Sequence, residues 1–240
     1  MKHLSLLAAA SFFILTSCNN VFKEKVRGNG IIKSENRTAG QFNSVHVSGA
    51  IDVYVSQDST SSIKVEADEN LLQYVVIENE NGELDIHQRD DVNLKATKSI
   101  KVYVSGPSFK YFGASGACDI YSENKISNTE KISIHLSGAS TVKMELKAPQ
   151  IDADLSGAGT ITLNGETREF NVDGSGSTDI NCFGLMTEST KVDLSGAGNA
   201  EVFASVKLDV HVSGAADVKY KGNATVSKDI SGAGSVKKVD

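Results

Sequence analysis

Three aspartates in this chain of 240 residues are spaced so that they could share a cation. Asp154, Asp173 and Asp193 each lie two residues before the Ser of a Ser-Gly-Ala or Ser-Gly-Ser tripeptide. If successive tripeptides stack, the three carboxylates fall on one line, about 4.8 Å apart. Bare carboxylates that close repel one another. A hard cation such as Ca²⁺ would relieve the repulsion through oxygen ligands. The competing and preferred reading is a solvated polar ladder whose charges are screened. His46, His135, His211 and Asp229 hold the same position in other copies. A further polar set lies four residues after the Ser: Asp52, Asp119, Thr141, Thr160, Asp179, Asn199 and Asp217. Asp and Asn there are read as closing a corner turn.

Catalytic chemistry finds little support. Glycoside hydrolysis needs two carboxylates across a cleft, one of them with a raised pKa. Flat repeated columns do not suggest a cleft. Serines are abundant, yet no Gly-x-Ser-x-Gly elbow stands between a strand and a helix. Gly174-Ser175-Gly176 superficially resembles a phosphate loop but lacks the following helix and Lys. No enzyme activity is expected, and no cofactor apart from the Ca²⁺ alternative.

The residue with the most specific chemistry is Cys18. Met1-Lys2-His3 is a short basic start, and Leu4 to Leu15 is an apolar run too short to span a bilayer. Leu15-Thr16-Ser17-Cys18 then reads as a lipobox: a branched apolar residue, two small ones, and the thiol that takes the diacylglyceryl group. Residues 1–17 are therefore expected to be a lipoprotein signal peptide. Several acyl chains on Cys18 would suffice for stable anchoring in a membrane. Residues 18–38 are polar, show little periodicity, and read as a lipidated tether.

Two further cysteines remain, Cys118 and Cys182. An exported protein could pair them. They sit at different repeat positions three repeats apart, about 14 Å along a stacked axis, beyond the roughly 7 Å between Cα atoms that a disulfide spans. They are expected to be free core thiols.

What must position these residues is a repeat. Ser-Gly-Ala recurs at Ser48, Ser115, Ser137, Ser156, Ser195, Ser213 and Ser231, with Ser-Gly-Ser at Ser175. From Ser115 the steps are 22, 19, 19, 20, 18 and 18 residues. Positions −3 and −1 from each Ser are mostly apolar (Ile134 and Leu136, Val192 and Leu194). So are +5 and +7 (Val142 and Met144, Ile161 and Leu163). That alternation is a strand on each side of a corner. One strand pair cannot bury its apolar face alone, whereas stacked copies can. The fold expected is all-β: a parallel β-helix of ~18–20-residue coils over residues 111–240. A less regular N-terminal β region precedes it over residues 39–110. The alternative is a β-sandwich of hairpin repeats, which would want an Asn-Gly or Asp-Gly turn in each copy. Only Asn81-Gly82 and Asn164-Gly165 fit that. Asp68 is read as the cap of a short helical turn at Asp68-Glu69-Asn70-Leu71-Leu72.

Composition agrees with this picture. Gly numbers 21, Pro 2 and Trp 0. The formal net charge of −6 argues against a nucleic-acid partner, which needs a basic face. The absence of Trp weakens a stacking platform for sugars, but not binding through polar ladders.

With the lipobox, the segment Phe42-Asn43-Ser44-Val45-His46-Val47-Ser48-Gly49-Ala50-Ile51-Asp52-Val53 and the serial Ser-Gly-Ala-Gly coils, the chain resembles the putative auto-transporter adhesin, head GIN domain family. The resemblance covers roughly residues 39–235. It implies a β-helical, two-part architecture, a place in the bacterial cell envelope, and adhesion. The expectation is an outer-membrane lipoprotein, on the periplasmic or surface face, that offers β-helix faces to a glycan or protein. A structural envelope component without a ligand is the alternative, and a carbohydrate-active β-helix enzyme the least favoured.

Overall fold

A computed structural model describes residues 23–240. The chain winds as a β-solenoid around a single apolar core. The first column of stacked strands runs Glu83–Gln88, Ser44–Gly49, Tyr111–Gly116 and Ile132–Gly138. It continues through the second halves of three long strands, Thr141–Gly157, Thr160–Gly176 and Asp179–Gly196, and ends with Lys207–Gly214 and Thr225–Gly232. The second column runs from Ile100–Gly106 through Ile51–Gln57 and Asp119–Ser122 to Ser235–Lys238. Every pairing within these two columns is parallel, which excludes the sandwich of hairpin repeats.

The register follows the repeat. Ser115 pairs with Ser48 and Ser137, and Ser156 with Ser175. Positions −3 and −1 point inward: Val45, Val47, Ile134 and Val192 are fully buried. Each coil thus places its apolar residues on those of its neighbours, and this contact, which no isolated coil can make, holds the stack together. Residues 39–110 share that core. Ser44–Gly49 lies between Glu83–Gln88 and Tyr111–Gly116, so spatial order departs from chain order at this end.

Antiparallel pairing is confined to the N-terminal end. Val75–Glu80 pairs with Glu83–Gln88 through the turn Asn81-Gly82, both residues having positive φ (54° and 87°). That is the I′ hairpin the Asn-Gly pair signals. Asn164-Gly165 behaves differently. Gly165 has φ 115° but lies inside the long strand Thr160–Gly176, where it marks a bend of the coil.

The segment read as a tether is structured over most of its described length. Glu24–Arg27 pairs with Val92–Lys95, and Ile32–Arg37 pairs antiparallel with Ser62–Asp68. Both are edge strands exposed on most sides, so they need little apolar alternation and gave no periodic signal. Asp68 fastens them, and it is not a helix cap. The 3₁₀ turn Leu72–Tyr74 starts at Leu71 without any side-chain cap. The Asp68 carboxylate is fully buried and accepts hydrogen bonds from the Gly30 amide (2.7 Å), the Thr97 amide (2.9 Å) and the Thr97 hydroxyl (2.7 Å). Burial pushes this carboxyl up, but the Thr97 and Gly30 donors outweigh burial and hold it below the usual range. A lowered pKa makes its contribution to stability present above the unfolded pKa and lost as pH falls through the folded one. Asp68→Ala should cost about 2–4 kcal/mol, because three donors lose a charged acceptor. Amide hydrogen exchange should then accelerate first in residues 24–31. Uniform protection with unchanged urea stability would show that the carboxylate fastens nothing.

Cys118 and Cys182 are free and buried. Burial pushes the Cys182 thiol up to about 12, so it is inert at neutral pH. Among the described residues no helix is long and apolar enough to cross a membrane.

Candidate functional site

The −2 position of every coil faces outward in the first column and forms one unbroken register. Asp85 pairs with His46, His46 with Gly113, and Gly113 with His135. The line continues through Asp154, Asp173, Asp193, His211 and Asp229. Where Gly113 leaves a gap, neighbouring side chains fill it. A Cβ there would lie 2.5 Å from His46 Nδ1 and 2.7 Å from the Tyr111 hydroxyl. Tyr111 meets His135 edge-on at 5.2 Å between ring centres. With the Ser column and the edges of the apolar −1 residues, this line bounds an open groove of about 800 Å³ from His46 to Ser231.

Charge along the groove is unevenly compensated. His135 Nε2 lies 2.8 Å from Asp154, and Lys191 Nζ lies 2.6 Å from Asp193. His211 lies between Asp209 (3.7 Å) and Asp229 (4.0 Å). Asp173, in the middle, has no cation within ion-pair reach among the described residues. Partial burial pushes its carboxyl up, and the charges of Asp193 and Asp154 push it further. Beside it, Asp152 is held below the usual range. Burial there is outweighed by hydrogen bonds from Gln150, Asn171 and Lys131.

Asp154, Asp173 and Asp193 are therefore neighbours, in the order their spacing predicts. They stand in a row, each on its own strand. Among the described residues no group of three or more His, Cys, Asp or Glu is arranged to hold a metal ion. The repulsion itself has a measurable consequence. A raised pKa means that Asp173 supports the fold when protonated and loses that support as pH rises through its folded pKa. Asp173→Asn should stabilise the protein at pH 7 by about 0.5–1 kcal/mol, the scale of a cross-strand like-charge pair. The gain should vanish below the unfolded carboxylate pKa, where both forms are neutral. Thermal melts at pH 7 and pH 3 check this; an unchanged or lower Tm at pH 7 removes the repulsion. Millimolar Ca²⁺ should leave the wild-type Tm unchanged if the row is a solvated ladder.

Of the groove's serines only Ser156 bonds through its side chain among the described residues, its Oγ donating to the Leu136 carbonyl (3.4 Å), and no serine there bonds to a histidine. The +4 set is likewise in register, from Asp52 through Asp119, Thr141, Thr160, Asp179 and Asn199 to Asp217. Some of its polar contacts run within the set, such as the Asn199 side-chain amide donating to Asp179 (3.2 Å), while Asp119 accepts from the Tyr121 hydroxyl (2.9 Å). Cys18 lies outside the described residues.

One ladder escaped the sequence reading. Tyr103, Tyr54 and Tyr121 stack on adjacent coils, with ring centres 5.1 and 5.3 Å apart. Tyr54 and Tyr121 both lie at +6, so aligning the copies with attention to aromatic residues would have found this pair. The rings face one another, and Lys64 covers the outer face of Tyr103 at 4.2 Å. Among the described residues this leaves only the outer face of Tyr121 without an aromatic or cationic partner.

Comparison with known proteins gives a consistent result. A putative adhesin from Bacteroides fragilis superposes with a TM-score of 0.84 at 18% identity, covering 89% of this chain and all of that one. A putative lipid binding protein from Parabacteroides distasonis superposes at 0.73 with 22% identity, covering 90% of this chain and all of that one. A putative adhesin from the same species superposes at 0.65 with 27% identity and the same coverage. No functionally curated protein matches. The sequence profile described as putative auto-transporter adhesin, head GIN domain, matches residues 41–224. The β-solenoid, the Ser-Gly-Ala register and this match together make the chain a member of the putative auto-transporter adhesin, head GIN domain family.

Proposed function

We propose that this protein is a non-catalytic binding module of the bacterial cell envelope, held in the outer membrane by acyl chains on Cys18, that lays an extended glycan along the groove from His46 to Ser231. The observation that carries this reading is the groove itself. It is about 800 Å³, open at the surface, and its lining repeats coil by coil. A repeating lattice of carboxylate, imidazole and hydroxyl groups suits a ligand that is itself a repeating polyol. Carboxylates accept from sugar hydroxyls, and Ser and His can donate or accept. Asp154, Asp173, Asp193 and Asp229 disfavour a polyanionic chain, so the preferred ligand is a neutral or amine-bearing glycan.

The test is a glycan array probed with residues 19–240, which include every described residue. Neutral or amino-sugar polymers should bind, uronate-rich ones should not, and Asp173→Ala/His135→Ala should abolish the signal. Release of reducing ends from a bound glycan would revive the carbohydrate-active reading. Silence on the array together with capture of an envelope protein would move the ligand from glycan to protein, and silence in both would leave a structural component. Protease treatment of intact cells separates a surface from a periplasmic position.

A further inference from the structure

The acidic groove has a basic counterpart at the opposite end of the chain's charge distribution. The chain counts 24 basic and 30 acidic residues. Yet residues 23–37 and 95–101 together hold eight basic and two acidic ones. The parallel pairing of Glu24–Arg27 with Val92–Lys95 organises part of that excess. Lys25 is opposite Asn93, and Arg27 opposite Lys95. Val92 is buried and Leu94 packs against the core, so the alternate residues Lys25, Arg27 and Lys95 stand exposed on the other face. Lys98 follows, also exposed.

The nearby acids do not neutralise this face. Asp91 is taken by Arg89 at 2.5 Å, and Glu69 by Lys33 at 2.5 Å. Glu24 shares the parity of Val26, away from Lys25 and Arg27. Among the described residues none of Lys25, Arg27, Lys95 and Lys98 forms an ion pair. Arg27 and Lys95 are directly opposite like charges, an arrangement that destabilises a strand pair unless an anion relieves it.

The position of this face supplies its partner. It lies at the capped end of the solenoid, beside the edge strand Ile32–Arg37. Lys25 is seven residues from Cys18, a reach of at most about 25 Å for an extended chain. An acyl group on Cys18 would thus keep the face at the headgroups, where even a weak electrostatic contact is favoured by high local concentration.

We propose that Lys25, Arg27, Lys95 and Lys98 form a docking face for the anionic phospholipid headgroups of the membrane carrying the anchor, a reading that rests on lipidation of Cys18. Docked this way, the solenoid stands on its capped end. The last coil lies eight strand spacings of about 4.8 Å beyond the first, nearly 40 Å out. The groove then rises from the membrane with its Asp229 end outermost.

The test uses residues 19–240 without lipid, sedimented with vesicles of phosphatidylcholine alone or with ~30% phosphatidylglycerol. Each surface charge counts for about fivefold in binding. Lys25→Glu/Arg27→Glu/Lys95→Glu should therefore weaken association with the anionic vesicles about a hundredfold or more, and 0.5 M salt should release the wild type. Lys25→Gln/Arg27→Gln/Lys95→Gln, checked for a native circular dichroism spectrum, should lose binding without introducing new repulsion. A control at the other end, Lys207→Glu/Lys221→Glu/Lys237→Glu, should bind like wild type. Equal binding to both vesicle types, equal loss in the control, or equally tight binding of soluble polyphosphate would overturn the membrane assignment. Lipidation is scored separately, by palmitate labelling of the full chain and of Cys18→Ala. Unlabelled wild type would remove the anchor while the vesicle result still decides whether the face recognises anionic lipid.

Discussion

Gly176→Ala should cost at least about 3 kcal/mol, measured by urea denaturation, while Gly30→Ala should cost only about 1. Both glycines have positive φ, 101° and 79°. That backbone alone costs a residue with a Cβ on the order of 1–2 kcal/mol. The surroundings differ. A Cβ on Gly30 meets nothing within 4 Å, whereas one on Gly176 lies 2.5 Å from the Gly157 carbonyl oxygen. That oxygen accepts the Ser177 amide at 2.8 Å, so the intruding methyl also breaks an inter-coil hydrogen bond. The same contact recurs up the stack: Gly157 on Gly138, Gly196 on Gly176, Gly214 on Gly196. From Gly116 upward the glycine after the Ser is thus required by the coil beneath it, and more so than by its own turn. Equal costs at Gly176 and Gly30 would show that the backbone conformation alone explains the repeat.

That contact also explains why the array was legible. A strict Ser-Gly step is imposed by stacking, and stacking fixes the register of everything around it. Once Ser137, Ser156 and Ser175 are aligned, the inward −3 and −1 columns and the outward Asp154–Asp173–Asp193 row follow by alternation alone. The capped end has no such constraint. Glu24–Arg27 and Ile32–Arg37 each bond to one neighbour and face solvent, so their sequence is free to look like a linker. What holds them is Asp68, whose partners Gly30 and Thr97 lie 38 and 29 residues away. Long-range partners of a single carboxylate leave no periodic trace, and Asp before an apolar pair looks like a cap. The groove was half visible for a similar reason. Its residues follow from spacing, whereas its concavity does not: columns read from spacing alone are flat.

Solenoids have two ends, and this one treats them differently. The first coil is closed by antiparallel strands, which occupy the hydrogen-bonding edge that a parallel stack would otherwise offer. The last coil, Thr225–Gly232 and Ser235–Lys238, has no strand beyond it among the described residues. Val226, Ile230 and Val236 pack on the core from one side only. Two of its inward positions are instead lysines. Lys228 continues the −3 column above Val210, and Lys238 continues the +7 column above Tyr220. In the copies below, the −3 column holds Val45, Phe112, Ile134, Ala153, Val172, Val192 and Val210, all buried. A further coil laid on this end would have to bury two ammonium groups, which is prohibitive without partners. Inward charge on an edge strand is a known way of ending a sheet. Lys228→Val/Lys238→Val should therefore convert the end into a continuous apolar cross-section with open strand edges. Because the opposite end is capped, the matching surface is the same end of a second copy, and tail-to-tail pairing closes at two. Sedimentation equilibrium at micromolar concentration should find a dimer in the double variant and none through this end in the wild type. Either single variant, still burying one lysine, should pair far more weakly. A double variant that stays monomeric would mean that the lysines are not what stops the stack, and that the geometry of the last coil already forbids another.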